Sequence, residues 1–193
     1  SMNQDTLILQ EVFRSLAHRY TASRSGWNTY AAASLDRVCY DYDSPPSLPS
    51  HGRRLTDSIG VCVDDEFMAT CPRSEDSRNV HAEEMILKWL QSRIYTSKWP
   101  PPDGEIHTLH MFTFLSPCRN CIGRLKDFLR LLRERELMGR IRFVLGYSKE
   151  YTPWNGLGPD VTIPLLNRIT HYYPNFRVIK INKYNQSKRV DIY

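Results

Sequence analysis

The chain has 193 residues, enough for a sizeable core, and one domain over residues 2–193 is expected once Ser1, which reads as a cloning scar ahead of Met2, is set aside. No apolar run approaches the ~20 residues of a membrane helix and no signal peptide is visible, so no membrane partner is expected and the setting reads as cytoplasmic or nuclear. The apolar share of 41% and charged share of 24% are ordinary for a soluble globular protein, and the net charge of +5 is compatible with a polyanionic partner.

The predicted elements begin with an amphipathic helix from Asp5 to Tyr20, with Leu9, Phe13, Leu16 and Tyr20 on one side and Asp5 as its N-cap. A polar loop over Thr21–Asn28 leads into a strand from Tyr30 to Tyr42. The Pro/Ser/Gly-rich stretch 44–52 is a loop, and 58–65 and 66–71 form either a strand pair or one kinked strand. After another polar loop, the run from His81 to Tyr95 places Met85, Ile86, Trp89, Leu90 and Ile94 at helical spacing. A strand at 106–115, a helix at 118–138 and a strand at 141–146 follow. A helix near 161–173, with Pro164 in its first turn, and a strand at 176–183 complete the chain.

Strands separated by helices argue for an α/β fold: a central mixed five-stranded sheet with helices on both faces, in three layers. The helix before the last strand lets the last two strands run parallel, where a hairpin would make them antiparallel. His107 and His110, inside an apolar strand, read as satisfied core or edge histidines. The five cysteines, Cys39, Cys62, Cys71, Cys118 and Cys121, do not suggest a disulfide framework; buried thiols are expected in preference to a Cys62–Cys71 bridge.

Two short stretches carry chemistry, and each opens a helix. In Ser116-Pro117-Cys118-Arg119-Asn120-Cys121 the cysteines are three apart, so in the first helical turn both thiols point the same way. With the imidazole of His81, in His81-Ala82-Glu83, they make a zinc-type set of two soft sulfurs and one nitrogen. Three protein ligands leave a position for water, as catalytic zinc sites do, and zinc lowers the pKa of that water to about 7. Glu83 would diverge from His81 on a regular helix and therefore reads as a base beside the metal water, not as a fourth ligand. Unrelated buried cysteines or a closed structural zinc site are the plain alternatives.

H-x-E followed by P-C-x-x-C is the signature of zinc deaminases. On these residues the chain resembles the cytidine deaminase superfamily, and within it the AID/APOBEC-like polynucleotide deaminases. It departs from them in the 33 residues between Glu83 and Pro117, a longer spacing that the segment Tyr95–Gly104 accounts for. The resemblance implies a cytidine deaminase-like fold, a Zn2+ cofactor on His81, Cys118 and Cys121, and Glu83 as the proton shuttle, with the motif positions Ala82 and Ser116 beside the substrate. The helix before the last strand is similar to the layout of superfamily enzymes acting on polynucleotides. The expected activity is deamination of cytosine to uracil in single-stranded nucleic acid, DNA or RNA. A free nucleoside deaminase, a tRNA-type adenosine deaminase and a toxin-like effector domain are the alternatives.

Two loops read as walls of the substrate cavity. Tyr147-Ser-Lys-Glu-Tyr151-Thr-Pro-Trp154-Asn-Gly resembles the aromatic loop that grips the nucleotide beside the target. Tyr147, Tyr151 and Trp154 would stack on bases, and Lys149 would meet phosphate. The plain reading of the rings is that they cover the sheet edge. The stretch Arg24–Tyr30 supplies the other wall, with Asn28 in the position that contacts the target sugar and Trp27 beside it; as plain structure, Asn28 is a turn residue after Gly26. Arg53-Arg54 and Lys188-Arg189 read as surface charge or outer phosphate contacts.

Overall fold

The computed structural model describes residues 2–20, 29–37, 53–54, 62–63, 65–72 and 81–182. Helix α1 (Met2–Tyr20) presents Ile8, Leu9, Val12, Phe13, Leu16 and Tyr20, all buried, to one face of the sheet. The helix starts before Asp5, which is not its N-cap. The Asp5 side chain instead turns inward at 2% exposure, with Oδ1 2.8 Å from His110 Nε2 and 2.9 Å from Arg142 Nη1. Burial alone would raise the Asp5 pKa, but the hydrogen bonds to His110 and Arg142 prevail and hold it well below the usual carboxylate range.

Strand β1 (Ala31–Leu35) is shorter than the 30–42 run expected. Asp36 has φ 55°, a left-handed conformation that breaks an extended strand, and positions 38–42 lie outside the described residues. Strands β2 (Arg53–Arg54), β3 (Cys62–Val63) and β4 (Phe67–Thr70) are antiparallel neighbours, so 58–71 resolves as a strand pair. Helix α2 (Ala82–Tyr95), strand β5 (His107–Leu115), helix α3 (Arg119–Glu134), strand β6 (Ile141–Lys149), helix α4 (Pro159–Tyr172) and strand β7 (Phe176–Lys180) follow.

The sheet order is β2-β3-β4-β1-β5-β6-β7. The five-stranded body expected is β4-β1-β5-β6-β7, extended at one edge by the two-residue ladders of β3 and β2. β1 is antiparallel to both of its neighbours, whereas β5, β6 and β7 run parallel. Residues alternate across the sheet. Leu109, Met111, Phe143 and Leu145 face α2, α3 and α4, whereas Phe112 and Val144 face α1. The three crossover helices share one face because each steps in the same direction along the sheet with the same hand. Fully burying side chains such as Phe112, Phe128 and Phe143 contributes about 1.5–3 kcal/mol apiece.

Strand β6 continues past Gly146, where a Cβ would meet Leu9 Cδ1 at 2.9 Å. That glycine admits the side chain of α1 and does not end the strand. Helix α3 stops at Glu134, short of the 138 expected. Leu137 N–H donates to the Leu132 carbonyl (2.8 Å) and Glu136 sits at φ 58°, a Schellman ending. The segment after α2 folds against the amino end of β5. There Asp36 accepts from Trp99 Nε1 at 2.9 Å, and His107 lies between Asp36 and Asp103, 2.9 Å from each. Arg140 donates to the carbonyls of Pro101 (2.6 Å) and Glu105 (2.7 Å) and closes this clasp. The longer spacing between the two motifs is therefore spent roughly 26 Å away, at the other end of β5.

Candidate metal centre and the cavity above it

In an open α/β sheet the loops at the carboxyl ends of the parallel strands build the crevice. Here β4 leads towards α2, β5 leads to α3 and β6 leads into the 150–158 loop, all at that end. His81 is the N-cap residue of α2 and Cys118 that of α3, and neither side chain makes a capping hydrogen bond. Sequences usually place Ser, Thr, Asp or Asn there, worth about 1 kcal/mol over a non-capping residue. Both helices forgo that, and their N-cap side chains turn to one another instead.

His81 Nδ1 lies 3.7 Å from Cys118 Sγ and 3.4 Å from Cys121 Sγ, and the three ligand atoms all fall within 4.8 Å of one another. A tetrahedral zinc with ordinary Zn–S and Zn–N bonds separates N from S by roughly 3.6 Å. The group therefore fits a tetrahedral metal ion through Nδ1 and two sulfurs. Among the described residues these three make up the metal-ligating group. Cys71, a buried thiol outside any disulfide, packs in the α1-side core, and His110 is held by Asp5. Neither reaches the group.

Glu83 is 5% exposed, and its Oε2 accepts the Cys121 thiol at 3.4 Å. Burial pushes its carboxyl above the ordinary carboxylate range; the Cys121 hydrogen bond pulls the other way and the charge on Cys118 adds to the rise. The hydrogen bond from Cys121 brings the Cys118 thiol down to about 5, aided by backbone N–H groups at the start of α3, with burial opposing. The Cys121 thiol is pushed up by the same contact and by burial. The adjacent Glu84 turns away, to Arg124 at 3.1 Å and Lys88 at 3.6 Å.

A cavity of about 510 Å³ opens above these groups, floored by His81, Glu83 and Cys118. Its volume is within the usual range for small-molecule and cofactor sites. Ser116 is 2% exposed: its N–H donates to the Lys149 carbonyl (2.8 Å) and its Oγ accepts the Tyr151 N–H (2.9 Å). This carries the β5–β6 ladder one step beyond Leu115 and fixes the start of the loop that forms one wall with Tyr151, Pro153, Asn155 and Leu157.

The other residues singled out from sequence are distributed differently. Ala82 is fully buried under the site in the first turn of α2. Tyr147 is 6% exposed on β6 and is not a cavity residue, whereas Trp154 stands 98% exposed on the loop, also outside the lining. Lys149 is exposed. Tyr30 is buried and stacks on Phe114 at 4.9 Å between ring centroids. Arg24, Trp27, Asn28 and the pair Lys188-Arg189 lie outside the described residues; Arg53-Arg54 form the edge strand β2. Sequence reasoning passed over Thr29, Arg119, Asn120 and Asn155 as lining residues. All four adjoin positions already singled out, Thr29 and Asn155 within the two stretches read as walls and Arg119 and Asn120 between the two cysteines, and that adjacency was the available signal. Comparison with known protein families and with curated proteins finds no match for the chain.

Proposed function

We propose that the chain is a zinc-dependent deaminase that converts cytosine to uracil in single-stranded nucleic acid. One observation carries the reading: a three-membered His81/Cys118/Cys121 group with a buried carboxylate beside it, on the floor of an open cavity. Binding alone has no use for Glu83 there, whereas hydrolysis needs a group that accepts and returns a proton. A zinc ion held by these ligands supplies Lewis acidity and a nucleophile from water at neutral pH. Glu83, its affinity for a proton raised by burial, would take a first proton from the attacking water and deliver it to N3 of the ring. It would then take the second proton of that water and deliver it to the 4-amino group, which leaves as ammonia. Cys118 and Cys121 supply soft sulfur donors, and His81 presents Nδ1. The substrate class rests on the parallel β6–β7 arrangement, the Tyr151–Leu157 wall with exposed Trp154 at its tip, and the basic balance of the chain.

The test is product analysis. The protein is incubated with free cytidine and adenosine, and separately with single- and double-stranded DNA and RNA oligonucleotides, and uracil and inosine are quantified. Uracil from single strands, falling as salt rises, is the expected result. Salt-insensitive turnover of free cytidine with none on oligonucleotides assigns a nucleoside enzyme instead, and inosine assigns an adenosine deaminase.

A further inference from the structure

Helix α3 buries Leu125, Phe128, Leu129 and Leu132 and leaves a different set outside. Arg119, Gly123, Lys126, Arg130 and Arg133 are all exposed and fall at i, i+4, i+7, i+11 and i+14, one line along the helix. The line starts at the cavity, which Arg119 lines, and runs roughly 21 Å to Arg133. Arg119 and Lys126 make no ion pair among the described residues. Arg130 meets Asp127 at 3.5 Å with both side chains more than half exposed, a pairing that phosphate can displace. Arg133 is held in place, 4.3 Å over the Tyr173 ring and donating to the Tyr172 carbonyl at 3.1 Å. Arg124, off this line, is tied to Glu84.

Gly123 is a second, independent sign. Glycine weakens a helix interior relative to alanine. Among the described residues nothing compels it: a Cβ at this position would meet none of their atoms within 4 Å. A bare backbone between Arg119 and Lys126 lets an extended ligand lie close against the helix.

We infer that the exposed line of α3 is a track for the phosphates of a single-stranded polynucleotide whose next nucleotides occupy the cavity. The inference builds on the proposed function for the direction in which the strand enters. Its test reads binding, not turnover, so the two stand or fall separately.

The probe is a fluorescently labelled 15-nucleotide oligo-dT, which holds no cytosine, titrated over a range of salt. A cytosine trinucleotide, too short to cover the track, reports the cavity. Lys126→Gln with Arg130→Gln should weaken oligo-dT about ten-fold and lower the slope of log K against log salt by about 1.4, at 0.7 for each lost phosphate contact. Handling of the trinucleotide should stay as it was. Gly123→Ala should raise Tm by about 2 °C yet weaken oligo-dT. A control pair on other faces, Lys88→Gln with Lys98→Gln, should leave the slope alone. The track is overturned by a wild-type protein that shows no salt-dependent oligo-dT binding, by the Lys126/Arg130 pair binding as wild type, or by an equal fall in the control pair. Displacement of oligo-dT by a polyglutamate of equal charge, one for one, makes the line a generic surface for acidic chains and overturns the assignment to nucleic acid. Product analysis on cytosine substrates, whatever its outcome, judges the deaminase reading alone.

Discussion

Glu83 touches the candidate metal group through Cys121 without belonging to it, which separates two effects of its removal. Glu83→Gln should leave metal content unchanged, because His81, Cys118 and Cys121 remain. It should cut deamination by about 10²–10⁴-fold, the usual worth of a proton relay. Metal analysis beside a uracil assay checks both halves; full activity in the variant would place the base elsewhere, and Glu84, tied to Arg124, is not positioned to replace it. Ser116 makes a different case. Ser116→Ala leaves the Tyr151 N–H without its partner, a loss of about 1–3 kcal/mol if the group stays buried. The loop should loosen: faster hydrogen exchange at the Tyr151 amide, a higher KM and unchanged metal content, with exchange at Cys121 and Ile122 as before. At this scale the group that could hold a metal ion was legible because His81 and Cys118 are unusual N-cap residues and a His with two Cys is a metal-binding set. Glu83, by contrast, is an ordinary first-turn acid that stands out only by its place beside His81. The aromatic loop was legible only as composition. Tyr147 is inside because β6 runs on through Gly146, so Tyr147 keeps the parity of the buried Phe143 and Leu145.

Helices α2 and α3 end alike, and their endings are imperfect in the same way. Lys98 N–H donates to the Arg93 carbonyl (2.9 Å) as Leu137 does to Leu132, and the residues in between, Ser97 and Glu136, are left-handed at φ 55° and 58°. Glycine is the usual occupant of such a position because it has no Cβ to crowd the turn. Ser97→Gly and Glu136→Gly should each add up to about 1 kcal/mol and raise Tm by about 2–4 °C, read by thermal melts, without changing metal content. Glu136 explains why the sequence overshot the end of α3: the apolar pattern reaches Met138 and the next glycine is Gly139, so nothing marks the left-handed stop at Glu136. The β1 boundary failed for the same reason at Asp36. The starts of α2 and α3, the β5 and β6 cores and α4 were legible because their periodicity is uninterrupted. The ladders β2 and β3 were harder, since two residues carry no period.

For the whole molecule, two ionisable clusters tie distant parts of the chain together and give stability a pH window. Burial lowers the His107 pKa, but hydrogen bonds to Asp103 and Asp36 outweigh it and the net shift is upward. Both ring nitrogens face carboxylates, so only the imidazolium donates to both. A raised folded-state pKa means that this contribution is complete below the unfolded value near 6.5 and is lost as pH rises through the folded value. Asp5 works in the opposite sense: depressed in the fold, it stabilises fully above the unfolded value of about 4 and fails only as pH falls through its strongly acidic folded value. Tm should therefore be highest between about pH 4 and 6.5 as far as these groups decide it. His107→Gln should flatten the alkaline side of the profile and leave the acid side in place. An unaltered profile in that variant would remove the clasp from the account.

The placing of β1 between β4 and β5 has a consequence in time. His81 follows β4 and Cys118 follows β5, 37 residues apart in the chain, and the two strands are not neighbours. In the folded sheet β1 lies between the strands that precede the two helix starts, so the approach of His81 to Cys118 depends on a strand from a third part of the chain. Capture of metal during refolding should thus lag the burial of Trp99 and the formation of the central ladders, and a fragment beginning after β1 should bind it weakly. Stopped-flow refolding with a chelating dye against tryptophan fluorescence would time the two events. Simultaneous signals would mean that the metal assembles the sheet, and a lag would mean that the finished sheet assembles the metal site.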